Sequence, residues 1–171
     1  SYAQENGIDA TFKKDSISSV INNENFEIAF ISKEGYIGFY RYGEDKISKI
    51  SLPQGEVAPL KILFSPDSKY IIAMCSNGDF VKYSIETLQE VDRYKSTLVI
   101  NSSSEFEFVD ETTFIAKKYK NSTDIILVDI RTMDLKAEIK DFVYFMMKDN
   151  GNMKDMLPLM FMSGMANTTS K

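Results

Sequence analysis

The sequence contains no histidine, one cysteine and only eight glycines among its 171 residues. Without histidine there is no imidazole base, so Ser-His-Asp triads, Cys-His dyads and histidine-bound zinc or haem are excluded. Cys75 is alone, so an intrachain disulfide and a four-cysteine metal site are excluded as well, and we expect a buried structural thiol. Phosphate-binding glycine loops and Asp-x-Asp-x-Asp-Gly calcium loops do not occur. We therefore expect no enzyme and no catalytic, cofactor-binding or metal-binding residues.

Concentrated positive charge is also missing. The chain carries 20 Lys and Arg against 25 Asp and Glu, a formal charge of −5, and the basic residues are scattered. Nucleic-acid binding needs a basic patch and is therefore not expected. No apolar run is long enough for a transmembrane helix. The first residues resemble no signal peptide and the single thiol fits a reducing compartment, so an intracellular or virion-associated location is favoured.

What the chain does contain is a repeated order of short apolar runs and turns. The clearest copy has apolar runs at 60–64 and 70–75, an alternating segment at 80–85, and a segment at 89–94 that can supply a fourth strand. Ser65-Pro66-Asp67-Ser68 separates the first two runs and Asn77-Gly78 the next two, and both are turn sequences. This copy predicts a four-stranded antiparallel meander.

The same order recurs on both sides of this copy. We predict strands upstream at 26–31, 36–42 and 46–52, and downstream at 105–109, 113–119, 124–130 and 135–139. Aligning the third strands places Tyr40, Tyr83 and Val128 in register, at spacings of 43 and 45 residues. A period of about 40–45 residues with four strands per unit is typical of propeller blades. The predicted units cover residues 12–53, 57–96 and 103–142.

The segment Phe64–Ala73 reads Phe-Ser-Pro-Asp-Ser-Lys-Tyr-Ile-Ile-Ala and resembles the F-S-P-D-G-K-Y-L-A motif of the WD40-like β-propeller family. The resemblance extends over residues 12–142 and implies an all-β fold of three four-stranded antiparallel blade-like sheets. The family's Trp-Asp dipeptide is absent, and without histidine its Asp-His-Ser/Thr-Trp hydrogen-bond network cannot form. These blades must then be held mainly by apolar packing. An unrelated antiparallel sandwich or barrel fits the same strand spacing.

Three blades are fewer than the roughly four to eight that usually close a ring. A partial or open propeller leaves sheet edges and faces unprotected. The chain is part of a larger propeller, or neighbouring chains cover its open sides, or its sheets pack in a non-propeller way. Each alternative predicts a surface that binds other protein subunits, and the aromatic residues Tyr36, Tyr40 and Tyr42 are candidates for it.

The composition changes abruptly in a C-terminal methionine-rich extension, residues 143–171, where seven of the nine methionines lie between Met146 and Met165. Unbranched thioether side chains adapt to irregular grooves, which favours docking on another surface. The candidate partner-binding residues here are Met153, Met156, Leu157, Leu159, Met160, Phe161 and Met162. Alternatively, the extension folds back and covers an open blade of its own chain. Its Leu-Pro-Leu-Met core resembles, in composition, the C-termini of some tailed-phage structural proteins.

These observations predict a non-catalytic scaffold subunit that binds other proteins, in a larger assembly such as a virion, through open blade edges and the methionine-rich extension. Two alternatives stay open. A propeller-type enzyme or small-ligand binder would have its site at the centre of a ring completed by other chains. A peptide-recognition module of a regulatory complex would bind without the extension. Fold analogy alone does not separate these functions, because propellers carry many activities.

Overall fold

The computed structural model describes residues 17–44, 46–50 and 59–139, together with the backbone of residues 167–168. These residues form thirteen β-strands in three antiparallel sheets. In every sheet, each strand pairs with the strand that precedes or follows it in sequence. Within the described ranges there is no helix that could cross a membrane. The all-β prediction of three four-stranded antiparallel sheets is confirmed.

Each sheet is a meander of consecutive strands. Sheet A consists of β1 (Ile17–Asn22), β2 (Glu27–Ser32), β3 (Ile37–Arg41) and β4 (Ser48–Ile50). Sheet B consists of β5 (Pro59–Phe64), β6 (Tyr70–Cys75), β7 (Asp79–Ser84) and β8 (Glu90–Lys95). Sheet C consists of β9 (Glu105–Phe108), β10 (Thr113–Lys117), β11 (Ile125–Asp129) and β12 (Asp134–Ile139), with β13 (Asn167–Thr168) beside β12. The strands predicted in sheets B and C agree closely with these bounds, whereas β1 was not predicted.

Sheet B lies in the middle and is buried on both faces. Ile71, Ala73 and Cys75 of β6 belong to a core cluster shared with sheet A, whereas Ile72 and Met74 belong to a cluster shared with sheet C. None of the five is more than 1% exposed. A strand buried on both faces needs an apolar residue at every position, which is why β6 reads as a continuous apolar run. Cys75 is a buried core thiol, as expected.

The three sheets stack in the same orientation, so that equivalent residues face the same direction along the stack. Tyr83 of sheet B faces sheet A, and Val128 of sheet C faces sheet B. Tyr40, their equivalent, lies on the outer face of sheet A, because its neighbour Phe39 faces sheet B. We call this outer face of sheet A the leading face; it carries Val20, Ile28, Phe30, Tyr36, Gly38 and Tyr40. The outer face of sheet C is the trailing face; it carries Ile115, Ile125, Leu127, Ala137 and Ile139.

The turns repeat as well as the strands. Leu88 and Met133, in the turns after the third strands of sheets B and C, have φ values of 58° and 55°. Each donates its backbone N–H over 2.7 Å, Leu88 to the carbonyl of Ser84 and Met133 to that of Asp129. The repeat predicted from spacing is therefore present in the backbone geometry of these turns.

The Asn77-Gly78 hairpin differs from the two-residue turn that its sequence favours. Only Gly78 has a positive φ, 94°, and its N–H donates to the carbonyl of Cys75 over 3.0 Å. The side-chain oxygen of Asn77 accepts the N–H of Asp79 at 3.0 Å. This is a three-residue hairpin that ends in a left-handed glycine.

Two lysines of sheet B reach into sheet C. The Nζ of Lys82 donates to the carbonyl of Ile130 over 2.7 Å and lies 4.1 Å from the centroid of the Tyr70 ring. Lys82 is only 7% exposed. Lys61 donates in the same way to the carbonyl of Ser104. A carbonyl and an aromatic face offset the cost of burying the ammonium group, so the contact between these sheets is not purely apolar.

Replacing Lys82 tests this contact. Lys82→Met keeps the length of the side chain but leaves the Ile130 carbonyl without its donor, so the free energy of unfolding should fall by about 1–3 kcal/mol. Lys95→Met, at the exposed end of β8, is the matched control and should change it by less than about 0.5 kcal/mol. Urea unfolding measures both, and an unchanged midpoint for Lys82→Met would show that the contact does not stabilise the fold.

Ser68 offers a second test, because it occupies the glycine position of the F-S-P-D-G-K motif and has a φ of 60°. A left-handed conformation costs a non-glycine residue about 1–2 kcal/mol, so Ser68→Gly should raise the free energy of unfolding by about 1 kcal/mol. Ser76→Gly, in the next hairpin and outside the left-handed region, should lower it slightly. If urea unfolding shows the same loss for both variants, Ser68 is not strained.

Candidate functional site

The leading face of sheet A carries two of the predicted residues. Tyr36, Gly38 and Tyr40 alternate along the chain, and a strand period of two places them on one face. Phe30 lies opposite Gly38 on one side and opposite Val20 on the other, while Ile28 lies opposite Tyr40. Antiparallel pairing thus gathers aromatic and branched side chains from β1, β2 and β3.

Gly38 allows the ring of Phe30 to lie against the sheet. A Cβ at Gly38 would stand 2.0 Å from the Cζ of Phe30, so no larger residue fits there without moving the ring. The Phe30 side chain is 0% exposed, and its ring meets that of Tyr36 edge-on at 6.3 Å between centroids. The Nζ of Lys49 lies 4.4 Å from the centroid of Tyr36. Tyr36 is therefore held between an aromatic edge and a cation.

Tyr42 lies beyond the end of β3, where it forms a ring pair with Phe26. The two ring centroids are 6.4 Å apart, and both residues are 74% exposed. Val20 is 59% exposed. Three of the six large hydrophobic residues that are exposed in the described part of the chain therefore lie in sheet A or directly beside its strands. Exposed aromatic side chains of this kind are enriched at protein interfaces.

An ion pair secures the end of sheet A that carries this ring pair. The Arg41 guanidinium donates to the Glu27 carboxylate at 2.9 Å and to that of Glu44 at 3.2 Å. Asn23 donates to Glu27 as well, at 2.8 Å. The hydrogen bond to Glu27 raises the pKa of Arg41 above its ordinary value. Glu27, only 5% exposed, is thus a satisfied structural carboxylate.

The structure separates the predicted partner-binding residues. Tyr36 and Tyr40 share the leading face, but Tyr40 is only 7% exposed, whereas Tyr42 stands at the end of this face and is 74% exposed. Sequence analysis missed Val20, Phe26 and Phe30; the only local signal was a glycine inside a strand, which often marks a close approach. The predicted residues of the methionine-rich extension lie outside the described residues: Met153, Met156, Leu157, Leu159, Met160, Phe161 and Met162.

A cleft between the first strands of sheets B and C is the second candidate. Its volume is about 270 Å³, and it is lined by Lys61, Glu105, Phe106, Glu107, Ile115 and Lys117. The ammonium group of Lys61 donates to Ser104, and that of Lys117 lies 3.7 Å from the carboxylate of Glu105. Both cations thus have partners within the protein. In the part of the chain that the structure covers, no group of three or more metal-ligating side chains could hold an ion.

Comparison with known proteins identifies similar folds but no family. No family model and no curated protein matches the sequence. The crystal structure of AztD from Citrobacter koseri is similar over 77% of this chain, with a TM-score of 0.63 and 14% identity. The dihydro-heme d1 dehydrogenase NirN in complex with DHE is similar over 72%, with a TM-score of 0.57 and 13% identity. Kuenenia stuttgartiensis hydrazine synthase is similar over 67%, with a TM-score of 0.52 and 15% identity.

AztD and NirN are β-propellers, and the fold of this chain is propeller-like. Identities of 13–15% carry the fold and nothing more. The chain spans about a third of the length of these proteins: 37% of AztD, 28% of NirN and 34% of hydrazine synthase.

The packing of Phe30 over Gly38 can be tested by a double-mutant cycle. Gly38→Ala should lower the free energy of unfolding by about 1–3 kcal/mol, because the new methyl group would overlap the ring of Phe30. In a Phe30→Leu background the same change should cost less, since the smaller side chain leaves room for it. Urea unfolding of the four proteins measures the coupling. Strictly additive effects would contradict the contact.

Proposed function

We propose that this chain is a non-catalytic protein-binding unit of propeller type, which docks through the leading face of sheet A in a larger assembly. One observation carries the proposal. Sheets B and C each bury the face that holds Tyr83 or Val128 against the preceding sheet, whereas no sheet within the described ranges precedes sheet A. The equivalent face of sheet A, with Tyr40, is the side that a preceding blade would occupy in a propeller. Its centre is buried at Phe30 and Tyr40, whereas the rings of Phe26 and Tyr42 at its end are exposed, so the docking surface proposed here is this exposed end.

The contact between sheets A and B indicates what the occupant looks like. There Tyr83 and Val81 of sheet B pack with Ile37 and Phe39 of sheet A in one buried cluster. A partner for the leading face would likewise present alternating branched and aromatic side chains from a β-sheet. The exposed ring pair of Phe26 and Tyr42 would contact the same partner at the end of the sheet.

The partner that this chemistry favours is another protein subunit. The formal charge of −5 opposes binding to nucleic acid or to anionic lipid, whereas exposed aromatic residues suit a protein surface. In the proposal, the WD40-like character of the blades rests on the motif Phe64–Ala73. A virion is one such assembly, and that suggestion rests only on the composition of Leu157–Met160.

The cleft beside β9 supports a non-catalytic role more than an enzymatic one. Its two lysines already pair with groups of the protein, so it has no cation poised for a substrate. A reaction at this place would also need a nucleophile or general base together with a third convergent group. The lining instead consists of two paired lysines, two glutamates and the apolar residues Phe106 and Ile115.

The assembly containing the full chain, purified under native conditions, provides the test. Native mass spectrometry should give a species heavier than the 19.5 kDa of one chain, and amine cross-linking should join Lys49 to a partner while Lys95 on sheet B stays unlinked. Phe26→Ser with Tyr42→Ser should weaken the association by about tenfold or more, because aromatic anchors dominate interface energies.

The matched control for this test is Val99→Ser with Tyr119→Ser, which removes exposed apolar side chains away from sheet A. It should leave the association unchanged, and circular dichroism should show both double variants folded. A wild-type species of 19.5 kDa, or equal weakening by the two double variants, would refute docking through the leading face.

A further inference from the structure

The turn that follows the third strand is built in the same way in all three sheets. Its first residue lies two positions after the aligned residue of the third strand. That residue donates its backbone N–H to a carbonyl in the turn between the first and second strands. The three equivalent hydrogen bonds are Tyr42 to Phe26 over 3.0 Å, Ile85 to Lys69 over 3.0 Å and Ile130 to Thr112 over 2.8 Å. The surroundings of these turns can therefore be compared position by position.

Between sheets B and C, the carbonyl of the turn residue receives a buried cation, because the Nζ of Lys82 donates to Ile130 over 2.7 Å. Lys82 precedes Ile85 by three residues, and the same position of sheet A holds Phe39. A phenylalanine ring cannot donate to the turn of sheet B that it faces. In the described part of the chain, no hydrogen bond reaches the carbonyl of Ile85. The contact between sheets A and B thus lacks the cation that the other contact has.

A cavity opens beside Ile85 at the contact between sheets A and B. Its volume is about 500 Å³, within the range of roughly 300–1,000 Å³ that is usual for small-molecule sites. Its lining includes Arg41 of sheet A, and Ser68, Lys69, Ile85 and Glu86 from two turns of sheet B. The cavity therefore adjoins the carbonyl that has no donor.

A second polar group of this cavity also has no partner. Ser68 is only 8% exposed, and within the described residues its hydroxyl makes no hydrogen bond. Ile85 is 7% exposed. Buried polar groups are normally hydrogen-bonded, so a carbonyl and a hydroxyl without protein partners at one cavity point to a bound donor.

The uncompensated charge at the cavity is negative. Arg41 lines it, but its guanidinium donates to the two carboxylates described above. Lys69 lies beside Asp67, whose carboxylate accepts its backbone N–H over 3.0 Å. Glu86 is exposed and, among the described residues, has no ion-pair or hydrogen-bond partner. A cationic ligand is therefore favoured over an anionic one.

We propose that this cavity binds a small aliphatic amine, whose ammonium group takes between sheets A and B the role that Lys82 has between sheets B and C. The ammonium group donates to the carbonyl of Ile85 and to the hydroxyl of Ser68, and Glu86 is its counter-ion. These three groups match the three donors of an ammonium. The cavity lies on the side of sheet A that faces sheet B, so the inference does not depend on docking at the leading face.

Titration of the isotope-labelled full chain with n-butylammonium, followed by amide NMR spectra, tests the proposal. This probe has the four-carbon stem and the ammonium group of a lysine side chain, and n-butyrate and n-butanol are its anionic and neutral controls. It should shift the amide signals of Ser68, Lys69, Ile85 and Glu86 saturably, and it should bind about tenfold or more tightly than either control. No saturable shift, equal binding of the three compounds, or tighter binding of n-butyrate would each overturn the proposal.

A pair of charge variants locates the site. Glu86→Gln removes the counter-ion from an exposed side chain and should weaken binding of n-butylammonium by about twofold to fivefold. Glu111→Gln, which changes an exposed turn carboxylate of sheet C, is the matched control and should leave the affinity unchanged. Equal weakening by the two variants would show a general attraction to the acidic chain and refute the site.

Ser68→Gly separates binding from stability. It removes the hydroxyl and also relieves a φ of 60°, so the chain should become more stable while binding of n-butylammonium weakens by about tenfold. Ser76→Gly, in the neighbouring hairpin, should leave the affinity at the wild-type value. Wild-type affinity in Ser68→Gly would contradict the proposed contact of the ammonium group with this hydroxyl.

Discussion

The burial of sheet B on both faces is the constraint on which the rest of the fold depends. Each of the two core clusters contains side chains from β6 and β7, so sheet A and sheet C are joined through sheet B. Phe80 of sheet B shows how closely sheets B and C pack. The centroid of its ring lies 5.8 Å from that of Phe106 and 5.1 Å from that of Phe114. The polarity of this central sheet, with Tyr83 towards one neighbour and Lys82 towards the other, orients every other face in the stack.

Features that depend on neighbouring residues in sequence could be predicted. Apolar runs separated by turn motifs predict sheets B and C, because strands buried on both faces have few polar positions. β1 could not be found in this way: Ile17–Asn22 holds two serines and an asparagine, and alternate positions are exposed. Its pairing with β2 makes it a strand. Lys82 was also missed, since a lysine between Val81 and Tyr83 suggests a solvent-facing position until the carbonyl of Ile130 is known to lie beside it.

The same distinction applies to the candidate site. Alternation alone brings Tyr36 and Tyr40 to one face, and the structure places them there. The packing of the Phe30 ring over Gly38 depends on the register that places Phe30 opposite Gly38. That register pairs residues of two different strands, so it is not visible in either strand's sequence alone. Likewise, Phe26, whose ring is exposed, has a backbone φ of 57° that its sequence does not suggest. Long-range register and unusual backbone angles are the parts that local patterns do not encode.

The burial of the two outer faces bears on how the stack could grow. If both faces were open and complementary, as the faces between sheets A and B are, the chain could add copies of itself head to tail without limit, because such heterologous contacts do not close unless the rotation happens to form a ring. Both faces are instead buried at their centres: Phe30 and Tyr40 of the leading face are 0% and 7% exposed, and Ile125 and Leu127 of the trailing face are 0% and 2% exposed. Stacking of copies face to face would first have to uncover these side chains, so their burial opposes unlimited head-to-tail growth.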